Sequence, residues 1–172
     1  MIFQTFFPEE QAESAYDIAY EDLFEQGYRG VIFDIDNTLV EHGADADERA
    51  EELFRYLKKT GWKSCLLSNN KEERVKRFNQ KIHTQYIYKA GKPSGKGYQE
   101  AMKRMGTRPE NTVFVGDQLF TDVWGAKRAG LKNILVKPIA PKEEIQIVLK
   151  RKLERIVLYF WKKEQKKGRQ GV

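Results

Sequence analysis

The chain has 172 residues, of which 40% are hydrophobic and 33% charged, proportions that are typical of a globular protein with one domain. Its single cysteine, Cys65, excludes an internal disulfide, and no apolar run approaches the ~20 residues of a membrane span. The net charge of +6 lies in residues 142–172, which hold 10 Lys/Arg and 4 Asp/Glu, whereas residues 1–141 hold 21 of each kind. Because the acidic N-terminus also lacks the basic start of a signal peptide, a cytoplasmic protein is expected.

Segments with strand-like and helix-like patterns alternate along the chain. Residues 1–27 mix aromatic with acidic side chains and are expected to form short amphipathic helical turns. Hydrophobic runs and helical spacing then predict strands at 31–34, 64–67, 86–88, 112–115 and 134–136, and helices at 45–59, 71–81, 94–105 and 119–129.

This alternation predicts an α/β protein with three layers, in which helices cover both faces of a Rossmann-like, doubly wound parallel sheet of about five strands. We expect a single domain over residues 1–141, with its core at about 28–137. A basic amphipathic helix and tail are expected over residues 142–172.

Polar and ionisable residues follow four of the predicted strands. Binding sites of such sheets form beyond the carboxyl ends of the strands, near the point where the strand order reverses, so residues from different strands are expected to meet there. They are Asp34 and Asp36 after the first strand, Ser68, Asn69 and Asn70 after the second, Lys92 after the third, and Asp117 and Asp122 after the fourth.

Asp34 and Asp36 are expected to project to the same side, because side chains alternate along a strand. Two carboxylates that close repel each other unless a cation lies between them or one of them carries a proton. A carboxylate can attack a phosphoryl group and form an aspartyl-phosphate, so Asp34, the nearer to the sheet, is the candidate nucleophile. Asp36 is the candidate acid and base, which protonates the leaving oxygen and then deprotonates the attacking water.

The aspartates at these strand ends indicate a site for Mg²⁺, which takes about six oxygen ligands, often including carboxylates and water. Asp34 and Asp117 are the expected direct ligands, and Asp36 is expected to contribute its backbone carbonyl. Asp122 could bind the ion directly or orient another ligand.

Hydrogen-bond donors and one cation are available for the phosphate. Ser68 and the amides of Asn69 and Asn70 can donate to phosphoryl oxygens, and Lys92 can offset the remaining negative charge. Ser68 and Lys92 are therefore candidate catalytic residues as well. The full set of candidate phosphate-binding residues is Asn37, Thr38, Ser68, Asn69, Asn70 and Lys92.

Each of these residues also has an explanation without catalysis. Asp36 could belong to a turn, residues 68–70 could cap a helix, and Lys92 could be a solvated lysine. Asp117 could likewise belong to a turn, and Asp122 could be a charge on a helix surface. The order of residue types at successive strand ends favours the catalytic interpretation of the whole set.

The order of these residues resembles the four sequence motifs of the haloacid dehalogenase (HAD) superfamily phosphatases. The segments of this chain that resemble the motifs are Asp34-Ile35-Asp36-Asn37-Thr38, Ser68, Lys92-Pro93, and Gly116-Asp117 with Asp122. The resemblance covers about residues 28–137 and implies a Rossmann-like core, Mg²⁺ dependence and an aspartyl-phosphate intermediate. The second acid, Asp36, is typical of the phosphatase and mutase members.

Many HAD members carry a cap domain in one of two segments, and neither segment has room for one here. Residues 39–62 and 70–88 each hold one predicted helix and a linker. An open site is therefore expected, and the resemblance implies large substrates or a lid from a neighbouring subunit of a homo-oligomer. The layout resembles subclass IIIA and, within it, the YqeG-type branch, whose relatives include mitochondrial phosphatidylglycerophosphate phosphatases.

Apolar residues recur at helical spacing from Ile145 to Phe160, with basic residues opposite them. This segment could be a terminal helix packed on the sheet, or an interfacial helix that binds anionic lipid at the inner face of the membrane. Nucleic acid is not an expected partner, because the tail shows no recognisable nucleic-acid module.

The residues and the resemblance together predict a Mg²⁺-dependent phosphomonoester hydrolase with an open site. The expected substrate is large or a membrane lipid, such as phosphatidylglycerophosphate. The alternatives are a phosphatase of nucleotides, phosphoproteins or nucleic-acid ends, and a HAD-like binding protein without catalytic activity.

Overall fold

A computed structural model describes residues 2–140 and 145–168 of the chain. Six strands form one sheet between layers of helices. The strands are β1 (Glu10–Ala12), β2 (Gly30–Phe33), β3 (Lys63–Leu67), β4 (Gln85–Ile87), β5 (Thr112–Gly116) and β6 (Lys132–Val136). The helices are α1 (Tyr20–Glu25), α2 (Glu48–Lys59), α3 (Glu72–Ile82), α4 (Gly95–Met105), α5 (Trp124–Arg128) and α6 (Ile145–Gly168).

The strands lie in the order β1-β6-β5-β2-β3-β4, and all neighbours in the sheet are parallel. The predicted doubly wound, Rossmann-like fold is thus confirmed. From β2 the chain runs outward through β3 and β4, and it then returns to the other side of β2 to form β5. This reversal leaves a crevice between the ends of β2 and β5, where sheets of this type form their binding sites.

The sheet has one strand more than the sequence pattern predicts. β1 lies within the N-terminal segment that was expected to be helical, and short helices occupy Ile2–Phe6, Ala15–Asp17 and α1 around it. Glu10 and Gln11 are exposed and only Ala12 is partly buried, so β1 shows no hydrophobic alternation. It forms by backbone pairing with β6 at the edge of the sheet, a long-range contact that leaves no pattern in so short a segment.

Alternate side chains of β2 reach two separate cores, one on each face of the sheet. On one face, Val31 and Phe33 pack with apolar residues of α2 and α3 such as Leu57. On the other face, Ile32 packs with apolar residues of α4 such as Tyr98. Because full burial of a large apolar side chain contributes about 1.5–3 kcal/mol, the two cores together fix the position of the strand end that carries Asp34.

Local signals set the ends of several helices. Asp47 caps α2 by accepting a hydrogen bond from the N–H of Ala50 (2.9 Å). α4 ends at Met105 and is followed by Gly106, whose φ of +67° is in the left-handed region that glycine adopts without strain. α3 begins after Lys71, which makes no capping bond with its side chain. Residues 68–70 therefore do not serve as the cap of α3.

One face of α6 packs on the rest of the protein. Val157 is buried against a cluster that includes Phe7, Leu119 and Leu135, and the Phe160 ring stacks on that of Phe3, with centroids 5.8 Å apart. None of the helices within residues 2–140 and 145–168 has the length and hydropathy needed to cross a bilayer. Residues 142–144 and 169–172 of the predicted C-terminal segment lie outside the described residues.

Candidate active site

Asp34 is the first residue after β2 and is still held by the sheet. Its N–H donates a hydrogen bond to the carbonyl of Val115 in the neighbouring strand (3.0 Å), and its side chain is buried. The next residue, Ile35, is fully buried in the core and accepts a hydrogen bond from the N–H of Leu39 (2.9 Å). Asn37 takes a φ of +63°, which asparagine tolerates better than most residues, so the chain can turn back at this point.

Three buried carboxylates meet at the crevice between β2 and β5. Asp34, Asp117 and Asp122 each offer an oxygen atom, and these atoms lie within 4.8 Å of one another. Asp122 belongs to the π-helical segment Leu119–Val123, and a side chain on Gly116 would come to 2.5 Å from its Oδ2 atom. Gly116, which has no side chain, thus leaves room for the Asp122 carboxylate. Three carboxylate oxygens this close together fit a hard divalent cation such as Mg²⁺.

Lys92 joins two members of this cluster. Its Nζ lies 2.7 Å from Oδ1 of Asp34 and 2.7 Å from Oδ1 of Asp122, and its side chain is buried. The side chain of Asn69 makes two hydrogen bonds to the backbone of Lys92. Its Oδ1 accepts from the Lys92 N–H (2.8 Å), and its Nδ2 donates to the Lys92 carbonyl (3.2 Å). Asn69 therefore positions the backbone of the lysine, and Lys92 is not a solvated surface residue. That Asn69 also binds the phosphate stays a prediction.

The cluster carries more negative than positive charge, since three carboxylates face one ammonium group. Burial raises the pKa of Asp34 to about 6, with Lys92 opposing the change and Asp122 adding to it. Burial, Asp34 and Asp122 also raise the pKa of Asp117 well above its ordinary value. Burial alone would lower the pKa of Lys92, but the carboxylates of Asp122 and Asp34 outweigh it, so the pKa of Lys92 is raised. A bound cation would relieve this repulsion.

Asp36 lies in a different environment from Asp34. Its Oδ1 accepts hydrogen bonds from the N–H of Gly43 (2.7 Å) and from Nη2 of Arg74 (2.9 Å), and its Oδ2 accepts from Nδ2 of Asn70 (2.7 Å). Burial raises the pKa of this carboxyl, but the Gly43 N–H and the Arg74 guanidinium outweigh burial and lower it. The Asp36 side chain is not a member of the three-carboxylate cluster. That its backbone carbonyl binds a metal stays a prediction.

Ser68 connects the end of β3 to Asp36. It is buried, and its Oγ accepts a hydrogen bond from the N–H of Asn70 (3.1 Å), the residue whose side chain holds Asp36. The backbone of Ser68 is fixed by the carbonyl of Ile87 and the N–H of Ala90, both 3.0 Å away. Within the described part of the chain the Ser68 hydroxyl donates no hydrogen bond, so its hydrogen is available to a ligand.

Asn37 and Thr38, the other two predicted phosphate-binding residues, make contacts of different kinds. Thr38 donates from Oγ1 to Oδ1 of Asp117 (3.1 Å), so it orients a carboxylate of the cluster. The backbone carbonyl of Asn37 accepts from the N–H of Ile139 (3.1 Å) and its Oδ1 accepts from the N–H of Ala140 (3.3 Å), so Asn37 holds the loop after β6. Its predicted role at the phosphate has no support in these contacts.

Two residues of the site were missed by sequence reasoning. Arg74 follows Asn70 by one helical turn at the start of α3, a spacing that could have placed it at the strand ends. Its Nε and Nη1 atoms are buried and have no hydrogen-bond partner among the described residues. Tyr98 lies on α4, and its Oη is 3.0 Å from the carbonyl oxygen of Thr121 and 3.1 Å from that of Asp122. It therefore supports the turn that carries Asp122.

Most residues of this site lie in the part of the chain that matches a known protein family. Residues 43–130 match a family model described as haloacid dehalogenase-like hydrolase. The chain belongs to the haloacid dehalogenase-like hydrolases. The matched part of this HAD chain contains Ser68, Lys92, Asp117 and Asp122, and it begins after Asp34 and Asp36.

Individual relatives refine the assignment within the HAD family. The chain is 39% identical over 165 residues to Probable phosphatase YqeG of Bacillus subtilis (strain 168), a match that covers 95% of this chain and 96% of that protein. The predicted YqeG-type family is confirmed by this relative. The chain is also 28% identical over 166 residues to phosphatidylglycerophosphate phosphatase 1, chloroplastic/mitochondrial, of Arabidopsis thaliana, covering 90% of this chain and 47% of that protein.

Solved structures share the fold. The crystal structure of a HAD phosphatase from Thermococcus onnurineus superposes with a TM-score of 0.51 at 18% sequence identity, covering 67% of this chain and 88% of that one. At this level of identity the likeness supports the Rossmann-like core and carries no information about substrate.

Proposed function

We propose that this HAD chain is a Mg²⁺-dependent phosphomonoester hydrolase that works through a phosphorylated Asp34. The observation that supports this most is the buried cluster of Asp34, Asp117 and Asp122 with Lys92 at 2.7 Å, placed at the reversal of the strand order. Asp117 and Asp122 would hold the ion together with Asp34. When bound, Mg²⁺ offsets the charge of a dianionic phosphate next to an anionic nucleophile.

The chain's own residues divide the reaction into two steps. An oxygen of Asp34 attacks phosphorus, and the bond from phosphorus to the leaving oxygen breaks as Asp36 gives that oxygen a proton. Asp36 then takes a proton from water, and the water oxygen displaces Asp34 from phosphorus. Lys92 and the Ser68 hydroxyl stabilise the negative charge on the phosphoryl oxygens in both steps.

Asp36 has to be protonated for the first step, while its surroundings favour the ionised form. Gly43 and Arg74 lower its pKa in the arrangement described here. Arg74 therefore keeps Asp36 in the ionised form that the second step requires, in which Asp36 acts as a base. For the first step, Asp36 has to gain a proton and exchange at least one of these contacts for the leaving oxygen.

The proposed substrate is a large phosphate monoester or a membrane lipid, such as phosphatidylglycerophosphate. Only α2 lies between the Asp34 loop and β3, and only α3 lies between β3 and β4, so these segments leave no room for a cap domain over the site. The similarity to the Arabidopsis phosphatidylglycerophosphate phosphatase supports the lipid within this class. A lipid substrate would bring a cytoplasmic enzyme to the inner face of the membrane.

Release of phosphate from a generic aryl phosphate tests the reaction. With Mg²⁺ we expect turnover by the wild type and a loss of about 10³-fold or more in Asp34→Asn, because the nucleophile is removed. Asp22→Asn, an exposed residue of α1, is the matched control and should retain full activity. Circular dichroism checks that all three proteins are folded.

A substrate panel distinguishes the enzyme from its alternatives. It contains phosphatidylglycerophosphate, phosphopeptides, nucleotides, sugar phosphates and nucleic acids with terminal phosphates. The highest kcat/KM is expected for the lipid. Preference for another class would overturn the proposed substrate and leave the reaction intact. Equal, negligible release by wild type and Asp34→Asn on every substrate would support a binding protein without catalytic activity.

A further inference from the structure

The outward face of α6 is apolar at its centre, although α6 is already packed on the protein through its other face. Leu153, Ile156 and Tyr159 are 52%, 47% and 63% exposed. They are three of the five large hydrophobic residues exposed among the described residues, and they recur every three positions along one helix. Val157 on the opposite face is buried, so this exposure does not come from an undocked helix.

On α6 itself this outward face carries only positive charge, while Glu9 and Glu10 of the N-terminal segment border it beside Lys162 and Lys163. Within residues 150–167, both acidic residues turn inward: Glu154 accepts from the N–H of Leu119 (3.2 Å), and Glu164 accepts from Nε2 of Gln4 (3.3 Å). The exposed basic side chains on this side of α6 are Lys152, Arg155, Lys162, Lys163, Lys166 and Lys167.

We propose that this outward face of α6 binds the surface of a membrane that contains anionic lipid. The helix would lie in the plane of the interface, with Ile156 and Tyr159 reaching the boundary between head groups and acyl chains. The lysines beside them would contact lipid phosphates, which supply the opposite charge. A helix of this kind binds one leaflet without spanning the bilayer, in agreement with its hydropathy.

Two other occupants fit the face less well. Nucleic acid is bound through its phosphates by cations, and such contacts do not use an exposed isoleucine and leucine at the centre of the surface. A second copy of the chain would bring two faces of like charge together, which opposes association. Anionic lipid matches both the basic rim and the apolar centre.

The position of α6 connects this surface to the proposed phosphatase activity. Glu154 holds the N–H of Leu119, which lies two residues after Asp117, so the middle of α6 adjoins the loop of the carboxylate cluster. A membrane-bound α6 would therefore hold the open site close to lipid head groups. This functional consequence rests on the proposed function, whereas binding to lipid does not.

Sedimentation with vesicles tests the surface. The full chain is mixed with vesicles of phosphatidylcholine alone or with about 30% phosphatidylglycerol, and a preference for the anionic vesicles is expected. Ile156→Ser/Tyr159→Ser and Lys152→Gln/Lys163→Gln should each weaken this binding about tenfold or more. Tyr88→Ser is the matched control for loss of an exposed aromatic residue, and Lys58→Gln/Lys59→Gln on α2 is the control for loss of two charges.

Hydrolysis of a soluble aryl phosphate, measured in parallel, should be unchanged in all four variants, which shows that they are folded. The proposal would be overturned if the wild type did not sediment with anionic vesicles. It would also be overturned if Lys58→Gln/Lys59→Gln weakened vesicle binding as much as Lys152→Gln/Lys163→Gln. Tighter binding to single-stranded or duplex DNA, unaffected by Ile156→Ser/Tyr159→Ser, would overturn it in favour of a nucleic-acid surface. Binding to lipid by a chain that hydrolyses no phosphate would support this surface while refuting the proposed function.

Discussion

Asp34 and Asp36 are two residues apart and yet have opposite electrostatic surroundings. Burial next to Asp122 raises the pKa of Asp34, while the Gly43 N–H and Arg74 lower that of Asp36. Pairs of acids whose environments separate their pKa values are a recurring arrangement in enzymes that need two different roles. The difference arises because the chain turns between them, so that one faces the carboxylate cluster and the other faces α3.

Substitution of Arg74 tests whether it positions Asp36. The Arg74–Asp36 pair is 2.9 Å apart, and the two side chains are only 11% and 12% exposed. Arg74→Met removes the guanidinium, and we expect kcat on an aryl phosphate to fall about 10- to 100-fold with little change in KM, since the acid and base is displaced rather than the phosphate site.

Arg74→Lys is the conservative control, because lysine keeps the positive charge but lacks the planar guanidinium group. It should recover part of the lost kcat. If both variants lost stability and activity to the same extent, Arg74 would have a purely structural role. Thermal unfolding, measured on the same samples, provides this distinction.

At the scale of elements, the segment after β5 departs from the predicted helix over 119–129. It forms a π-helical turn at Leu119–Val123 before the short helix α5. Asp122 is fully buried in this turn, and its Oδ2 accepts from the N–H of Gln118 (3.1 Å). Single-turn π-helical segments are frequent at functional sites. Burial excludes the interpretation of Asp122 as a charge on a helix surface.

The docking of α6 predicts a specific pH dependence of stability. Burial raises the pKa of Glu154 from 4.5 to about 7, while the Leu119 N–H opposes the change. The unfolded chain therefore releases this proton at lower pH than the folded chain. A raised pKa in the folded state stabilises the protein below pH 4.5, and this contribution is lost as the pH rises toward 7.

Glu154→Gln removes this titration and keeps an oxygen that can accept from Leu119. Relative to the variant, the wild type should lose free energy of unfolding between about pH 4.5 and pH 7. Urea unfolding at several pH values, with a metal chelator present, measures the difference. Glu164→Gln, on the same helix, is the control, and a parallel trend in both variants would contradict the prediction.

At the scale of the whole molecule, the order of the strands creates the site. Asp34 follows β2, Asp117 follows β5, and Lys92 follows β4, so three distant parts of the chain meet at one edge of the sheet. The excess of carboxylates there works against the folded state, because like charges are held together away from water. Binding of a divalent cation should therefore couple to global stability.

Thermal unfolding with and without Mg²⁺ tests this coupling. A ligand at 100 times its Kd stabilises the folded state by about 2.7 kcal/mol, which corresponds to a rise in Tm of roughly 5–10 °C for a domain of this size. Asp117→Asn should abolish most of the rise and should increase the Tm measured without Mg²⁺, since it removes one repelling carboxylate. NaCl at equal ionic strength controls for screening, and an equal rise with NaCl would refute a specific site.

The sequence by itself determined the alternation of strands β2 to β6 with helices, the absence of room for a cap domain, and the residues placed at the strand ends. These features are local, since hydrophobic periodicity and turn residues act over a few neighbouring positions. The tertiary structure alone decided the edge strand β1, the pairing of Arg74 with Asp36 across 38 positions, and the burial of Asp122. It also decided which face of α6 packs on the protein and which is left exposed. Each of these features depends on contacts between residues that are far apart in the chain. A local sequence pattern carries no information about the energies of such contacts.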